Sequence, residues 1–277
     1  MKRQAAETGS VMIAAFEGWN DACQAASDAV RHLVKRYDGE EIRHIRCDGY
    51  YDYQSTRPIV CHATGRKRII WPQTTFYDIR ISPAFQLYAM LAPEPNYRWQ
   101  EHCRQTLRIA DELDVTRIIT LGSMFADCPH TRTLPVDIEY GSDCTECDPD
   151  QRYSGPVGIP TILDDAASQD GFDTTSMWVS IPQYLNSDGC AQATMQLLHE
   201  LSGLLGESID LADLPGKAQD WKARAEAVVR RNDALSDYVR RLEHDYDSNE
   251  KARQETTLDG PVCEQLIREA ENFLRDL

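Results

Sequence analysis

Three charged side chains, Asp21, Glu94 and Arg98, lie in or beside loops between predicted strands and helices. The Asp21 carboxylate could also cap a helix. Asp21 follows the apolar run of residues 11–16, and Glu94 lies between two prolines that fix the loop backbone. Arg98 begins the helical pattern that comes next. A fixed carboxylate beside a guanidinium can form a bidentate recognition site. The alternative is an ion pair that only pins the loop, with Trp99 packed beneath it.

A second group of candidate residues follows residues 116–121, the clearest strand pattern in the chain. His130 titrates near neutral pH, so it can act as an acid or a base, and Arg132 can hold an anion. Pro129 predicts a rigid turn before His130. In such a turn a histidine often only satisfies a backbone group, so both interpretations stay open.

These loops are predicted to meet, because ligands bind at the carboxyl ends of parallel strands in open sheets. The resulting polar cleft would bind a small anionic ligand or a peptide, or it would form a charged patch between subunits. The candidate residues are Asp21, Arg57, Glu94, Arg98, His130 and Arg132. For Asp21 and its neighbour Asn20, capping the next helix is the simpler interpretation.

Patterns for catalysis and for cofactors are weak. The sequence has no Gly-x-Ser-x-Gly elbow, no phosphate-binding P-loop and no Gly-x-Gly-x-x-Gly fingerprint. Cys144 and Cys147 have zinc-ligand spacing, and Cys128 with His130 would complete four ligands, but a second paired-cysteine knuckle is missing. We therefore expect no metal and no cofactor, and we name no catalytic residue.

The charge of the chain excludes two classes of partner. The net charge is -16, from 45 acidic and 29 basic side chains among 277 residues. Nucleic acids and anionic membranes bind clustered Lys and Arg, so neither is expected to bind here. No apolar stretch approaches the roughly 18 residues of a membrane span, and no signal peptide is evident. Nine irregularly spaced cysteines indicate free thiols, and we expect a cytoplasmic protein.

Alternating strand and helix patterns predict an α/β fold with a largely parallel sheet covered on both faces. The predicted strands are residues 11–16, 42–47, 58–63, 68–71, 116–121, 176–182 and the second half of 82–91. The predicted helices are residues 22–35, 97–113 and 192–205, and residues 161–163 fit a short strand or a helix start.

The composition shifts after Gly206, which predicts two parts, residues 1–206 and residues 207–277. Charged, helix-spaced sequence covers residues 213–246 and 261–277, with a polar break at 247–260. Two helices joined by a loop form a helical hairpin. Its apolar stripe must pack on the first part or on another subunit.

Four segments together resemble the proteasome assembly chaperone 2 family, especially its longer actinobacterial-type members. They are FEGWNDA at residues 16–22, YDYQSTRP at 51–58, PEPNYRW at 93–99 and LGSMFADCPHTR at 121–132. The resemblance covers residues 10–205, and the tail looks like the helical extension of the longer members. It implies a three-layer α/β/α sandwich of phosphorylase-like architecture, a ring-like or trimeric homo-oligomer, and assembly chaperoning of proteasome-related subunits.

One feature departs from chaperones that dock into proteasome pockets through a hydrophobic-tyrosine-any tail. This chain ends Arg275-Asp276-Leu277, which argues against docking of that kind. The leading prediction is a non-enzymatic, protein-binding homo-oligomer of assembly-chaperone type. The alternative is a small-ligand-binding protein or an enzyme, of nucleoside-processing or hydrolase type, that uses the polar cleft.

Overall fold

The computed structural model describes residues 10–46, 49–62, 65–83, 85–141, 154–185 and 189–258. The strands in this part of the chain are β1 Ser10–Glu17, β2 Glu40–Ile45, β3 Ile59–Cys61, β4 Arg68–Ile70, β5 Thr74–Ser82, β6 Phe85–Pro93, β7 Val115–Ala126, β8 Val136–Tyr140 and β9 Asp173–Pro182. The helices are α1 Ala25–Arg36, α2 Trp99–Glu112, α3 Ile159–Gln169, α4 Ala191–Leu205, α5 Leu214–Val229 and α6 Asp233–Leu258.

Seven strands form a mixed sheet in the order β2-β5-β6-β1-β7-β9-β8, and β3 and β4 form a separate two-stranded sheet. The four central strands are parallel to one another, as predicted. The prediction of a largely parallel sheet is wrong at the edges, where β2, β5 and β8 pair antiparallel. The β5–β6 turn is too short for a crossover, so that pair must be antiparallel.

Helices cover both faces of the sheet, which confirms the three-layer architecture. Ile13 and Ala15 of β1 pack into a core with α1 and α4, whereas Met12, Ala14 and Phe16 pack into a core with α2 and α3. All five side chains are fully buried. A strand buried on both faces requires a continuous apolar run, and this explains the sequence of β1.

The C-terminal part contains two helices, α5 and α6, where the sequence predicted one unbroken helix over residues 213–246 as the first half of a hairpin. The break falls near Asn232, whose Oδ1 accepts the backbone N–H of Leu235 at 3.1 Å. The predicted break at 247–260 is wrong up to Leu258, because α6 continues through that polar sequence. Trp221 of α5 joins the core formed by α1 and α4. The predicted helix at 261–277 lies outside the described residues, and the division at residue 206 stays a prediction.

Candidate functional site

Asp21 closes the loop between β1 and α1. Its Oδ1 accepts the backbone N–H groups of Ala26 at 2.9 Å and Ser27 at 3.2 Å, so the side chain caps α1 as predicted. Ser123 Oγ of β7 donates to the same oxygen at 3.4 Å. Burial raises the pKa of the Asp21 carboxyl above its usual value. Asp21 is therefore committed to internal contacts.

Glu94 ties together three loops at the carboxyl ends of the central strands. Its Oε1 accepts Asn20 Nδ2 at 2.7 Å and the backbone N–H of Ile159 at 3.3 Å. The Asn20 side chain is 1% exposed, so it does not cap α1 but fills the space between the loops. A Cβ on Gly158 would lie 1.9 Å from Asn20 Oδ1, which leaves room only for glycine there. The Glu94 carboxylate thus has a structural role, since it holds these loops together.

Arg98 does not pair with Glu94, although both interpretations from the sequence place these two groups together. Its guanidinium lies over the ring of Tyr50, 5.6 Å from the centroid, in a cation–π contact. The Tyr50 carbonyl accepts the backbone N–H groups of Asn96 at 2.8 Å and Tyr97 at 3.0 Å. The loop between β2 and β3 is therefore fastened to the loop between β6 and α2.

His130 is buried, with 2% of its surface exposed. The Tyr184 hydroxyl lies 2.9 Å from His130 Nδ1 and accepts the His130 backbone N–H, also at 2.9 Å. Burial lowers the pKa of the imidazole, and burial raises the pKa of Tyr184 to about 12. Both groups are therefore neutral near pH 7, and the partner of the His130 ring is the Tyr184 side chain, not the backbone group of the simpler interpretation.

Arg132 holds the C-terminal helix α6. Its Nε and one Nη each donate to a carboxylate oxygen of Asp247 at 2.8 Å. A second Nη lies 3.5 Å from Glu243. These carboxylates raise the pKa of Arg132. Because the planar guanidinium fork is occupied by Asp247, the anion that Arg132 binds is part of the same chain.

Five of the six predicted site residues fall into two groups and Arg57 belongs to neither; no hydrogen bond or ion pair joins any one of the six to another. Asp21, Glu94 and Arg98 fasten loops around the carboxyl ends of β1 and β6. His130 and Arg132 lie on the loop after β7, beside the C-terminal helices. Arg57 is exposed ahead of β3. The structure therefore places these residues at two separate positions, where they stabilise loops, and does not bring all six into one cleft.

Exposed aromatic and apolar side chains surround the first of these loop supports. Trp19 is 69% exposed, Tyr97 53%, Phe125 47% and Met124 40%, and all four lie at the carboxyl ends of β1, β6 and β7. We name these four residues the edge patch. The Asn20 carbonyl accepts the Ser123 backbone N–H at 2.9 Å, which joins the loop of Trp19 to the end of β7. Sequence reasoning assigned none of the four a role as an exposed group.

A second exposed apolar surface is formed by β3, β4 and Trp71, which we name the arm. Neither strand pairs with the seven-stranded sheet. Its exposed side chains are Ile59, Val60, Ile69, Ile70 and Trp71, each between 45% and 65% exposed. Apolar side chains on a two-stranded sheet with both faces open are unusual on a protein that acts alone.

The arm is also basic. Residues 53–77 contain Arg57, Arg66, Lys67 and Arg68 and no acidic side chain, in a chain with 45 acidic residues. This absence of acids was available in the sequence. The arm thus combines apolar surface with a positive charge, on a protein that is otherwise strongly negative.

The described residues offer little for metal or thiol chemistry. Within the described ranges, no three His, Cys, Asp or Glu side chains are placed to hold a metal ion. Cys144 and Cys147 lie outside those ranges. Burial raises the pKa of Cys103, Cys128 and Cys190 to about 12, so these thiols stay protonated near pH 7. None of the described helices is long and apolar enough to span a bilayer.

Two solved structures from actinobacteria are similar to this chain in both sequence and fold. A PAC2 family protein of Streptomyces avermitilis is 36% identical, with a TM-score of 0.75, over 83% of this chain and 99% of that one. A proteasome-assembly chaperone homologue of Mycobacterium tuberculosis is 34% identical, with the same TM-score and the same coverage of both chains. An archaeal proteasome activator of Pyrococcus furiosus, 15% identical with a TM-score of 0.62 over 83% of this chain and 96% of that one, shares the fold.

No curated protein matches the sequence. The model of the PAC2 family matches residues 15–229, from the last residues of β1 to the end of α5. This match and the two actinobacterial structures confirm the resemblance given by the four sequence segments. The chain belongs to the PAC2 family.

Proposed function

We propose that this chain is a non-enzymatic, protein-binding homo-oligomer of the cytosol that assists the assembly or regulation of a proteasome-related complex. The observation that carries the proposal is the arm, a basic two-stranded sheet with five exposed large apolar side chains. The proteasome-related partner is suggested by the mycobacterial homologue, which is 34% identical over nearly its whole length.

The arm supports protein binding on energetic grounds. A lone two-stranded sheet is marginally stable in water, because it has no second layer on which to bury its side chains. Burial of an isoleucine or tryptophan side chain stabilises an assembly by roughly 1.5–3 kcal/mol. A protein surface laid over the arm therefore stabilises both the arm and the complex.

A second copy of the chain is the occupant that we propose for the arm. Arg66, Lys67 and Arg68 give the arm a positive charge, whereas the whole chain carries -16. Opposite potentials steer encounter and fix register between surfaces. A basic arm on one protomer is thus complementary to the acidic surface of the next, and the trimer implied by the sequence resemblance is the number of subunits that we propose.

The edge patch is the surface that we assign to the client protein. Trp19 and Phe125 are aromatic, and exposed aromatic side chains on rigid supports are the usual anchors of protein interfaces. The internal tie between Asn20 and Glu94 holds the Trp19 loop in place. A ligand cleft among the six predicted residues is less favoured, because Asp21, Glu94 and Arg132 already bind partners within the chain.

Sedimentation velocity of the full-length protein tests the arm. We expect the wild type to sediment as an oligomer and Ile59→Ser/Ile70→Ser as a monomer, because these paired residues are exposed on adjacent strands. Val157→Ser/Val228→Ser removes two exposed valines elsewhere and should sediment as the wild type does. A monomeric wild type, or an oligomeric Ile59→Ser/Ile70→Ser variant, would contradict the proposal.

A further inference from the structure

A groove of about 680 Å³ lies between α1, the start of α4 and the first turns of α5. It is on the face of the sheet that carries α1 and α4, and the edge patch and the arm contribute no side chain to it. Its volume is within the range of roughly 300–1,000 Å³ that is usual for small-molecule sites. The groove is therefore large enough for a ligand of nucleotide size.

The charge of the groove is opposite to that of the chain. Its lining has five Lys and Arg side chains, which are Arg31, Lys35, Arg36, Lys217 and Arg224. Only three acidic side chains line it, which are Asp28, Asp213 and Asp220. The chain as a whole has 45 acidic and 29 basic residues. The excess of cations is thus a local feature that the average composition does not produce.

Ion pairs neutralise part of this lining. Arg31 pairs with Asp28 at 2.9 Å, and Lys217 pairs with Asp213 at 2.9 Å. Arg36 is turned to Asp210, which lies outside the groove lining. These contacts fix the positions of the paired cations, and the Asp213 carboxylate also interacts electrostatically with Lys35.

Two cations of the groove are left for a ligand. Lys35 on α1 and Arg224 on α5 make no ion pair with any residue in the described ranges, and Asp220 is the one lining acid without a basic partner there. Lysine supplies a point charge and arginine a planar two-point donor, which is the combination that binds phosphate oxygens. The two cations lie on different helices, so an anion between them would link α1 to α5.

The backbone at the start of α4 adds a third favourable element. Gly189, Cys190 and Ala191 line the groove, and α4 begins there. No acidic residue occupies its first turn, and the residue before the helix makes no side-chain capping hydrogen bond. The partial positive charge of a helix N-terminus therefore acts on the groove in the same direction as the two cations.

We propose that this groove binds a small phosphorylated molecule, held by Lys35, Arg224 and the start of α4. The ligand contacts the sheet-covering helices and the C-terminal helices at once, so its binding stabilises the docking of α5. Paired Arg31 and Lys217 shape the site and add long-range attraction. The site is independent of the arm and of the edge patch, and it can be tested whether or not a client protein is known.

Isothermal titration of the full-length protein with sodium pyrophosphate, at ionic strength held constant with sodium chloride, tests the site. We expect saturable binding to the wild type. The affinity of Lys35→Gln/Arg224→Gln for pyrophosphate should be lower by a factor of about ten or more, because both charge-assisted contacts are removed. The conservative Lys35→Arg variant keeps the charge and should retain most of the affinity.

The control is Arg241→Gln/Lys251→Gln, which removes the same charge from α6, outside the groove lining. We expect its affinity for pyrophosphate to equal that of the wild type within about twofold. No binding to the wild type would overturn the proposal. Wild-type affinity in the groove variant would also overturn it. An equal loss of affinity in the groove and control variants would overturn it too, because binding would then depend only on the net charge of the protein.

Discussion

Arg132 on the loop after β7 and Asp247 on α6 form a two-point ion pair across 115 residues of sequence, with both N–O distances 2.8 Å. Arginine and carboxylate match in this geometry, which fixes orientation as well as distance. The loop that was predicted to receive a ligand thus receives the C-terminal helix of its own chain. The position of α6 is thus fixed by this ion pair together with its buried Val239 and Leu242 side chains.

We therefore expect Arg132→Gln to increase hydrogen exchange in α6, because the helix loses its main link to the β7 loop. Asp247→Asn should have the same effect, and the double variant should be no worse than either single variant, since one contact is shared. Arg240→Gln, which breaks a pair with Asp237 within α6, is the control. Additive effects of the two single variants would show that the residues act separately.

Asp164 on α3 predicts a pH dependence of stability. Burial raises its pKa from 3.8 to about 6, so in the folded state the charged form is disfavoured. A raised carboxyl pKa means that the wild type gains stability as the pH falls from about 7 towards 4, and loses it as the pH rises through about 6.

The Asp164→Asn variant has no charge at this position, so it avoids the loss of stability that the ionised carboxylate causes near pH 7. We expect the variant to be more stable than the wild type by about 1–3 kcal/mol at pH 7, with the difference disappearing towards pH 4. Urea unfolding at a series of pH values measures it, and Asp170→Asn, at the exposed C-terminal end of α3, is the control. A constant difference between Asp164→Asn and the wild type at all pH values would contradict the assignment.

Gly122 in β7 leaves space for the ring of Trp178 on the neighbouring strand. A Cβ at this position would lie 2.5 Å from Trp178 Cε3, so the indole must move. We expect Gly122→Ala to lower the free energy of unfolding by about 1–3 kcal/mol, measured by urea denaturation.

Trp178→Leu should relieve part of the loss in the double variant, because the overlapping ring is removed. Gly203→Ala, in α4 with open space at the Cβ position, should be neutral or stabilising by up to about 1 kcal/mol. If Gly122→Ala is as stable as Gly203→Ala, the packing of Trp178 against β7 differs from this account.

Glu94 is expected to act through the loops it joins. Glu94→Ala leaves the Asn20 amide, which is 1% exposed, without its partner at 2.7 Å. We expect a loss of about 1–3 kcal/mol of unfolding free energy and faster exchange of the Ile159 amide. Glu94→Gln keeps an oxygen for both donors and should lose less. Equal losses in both variants would show that charge alone, and not the hydrogen bonds, holds the loops.

The central strands were predictable from sequence because burial on both faces leaves a strong local signal. The run Val11–Phe16 can be apolar throughout only if helices cover both faces. Strands β5 and β8 were not predicted, since Asp78 and Arg80 in β5 and alternating acids in β8 weaken the apolar pattern. Strand β8 also lies at the edge of the sheet, where its side chains are only partly buried or exposed, so burial does not require an apolar sequence there.

The candidate site was predicted less well, because its contacts join distant parts of the chain. Nothing near Glu94 in sequence indicates Asn20, 74 residues away, and nothing near Arg132 indicates Asp247. The cap by Asp21 was predictable, since a helix cap is a local relationship. The sequence also does not show whether β3 and β4 pair with the main sheet, because that depends on long-range contacts. Ile59 and Trp71 are exposed because these strands form a separate sheet.

Affinity purification of the tagged full-length protein from a lysate of its native cells, with quantitative mass spectrometry, tests the central claim most directly. The wild type is compared with Trp19→Ser/Phe125→Ser and with the control Val157→Ser/Val228→Ser. We predict that proteasome or proteasome-ATPase subunits co-purify in stoichiometric amounts with the wild type and the control, and are lost with the edge-patch variant. A wild type that purifies as a homo-oligomer without any protein partner would contradict the account.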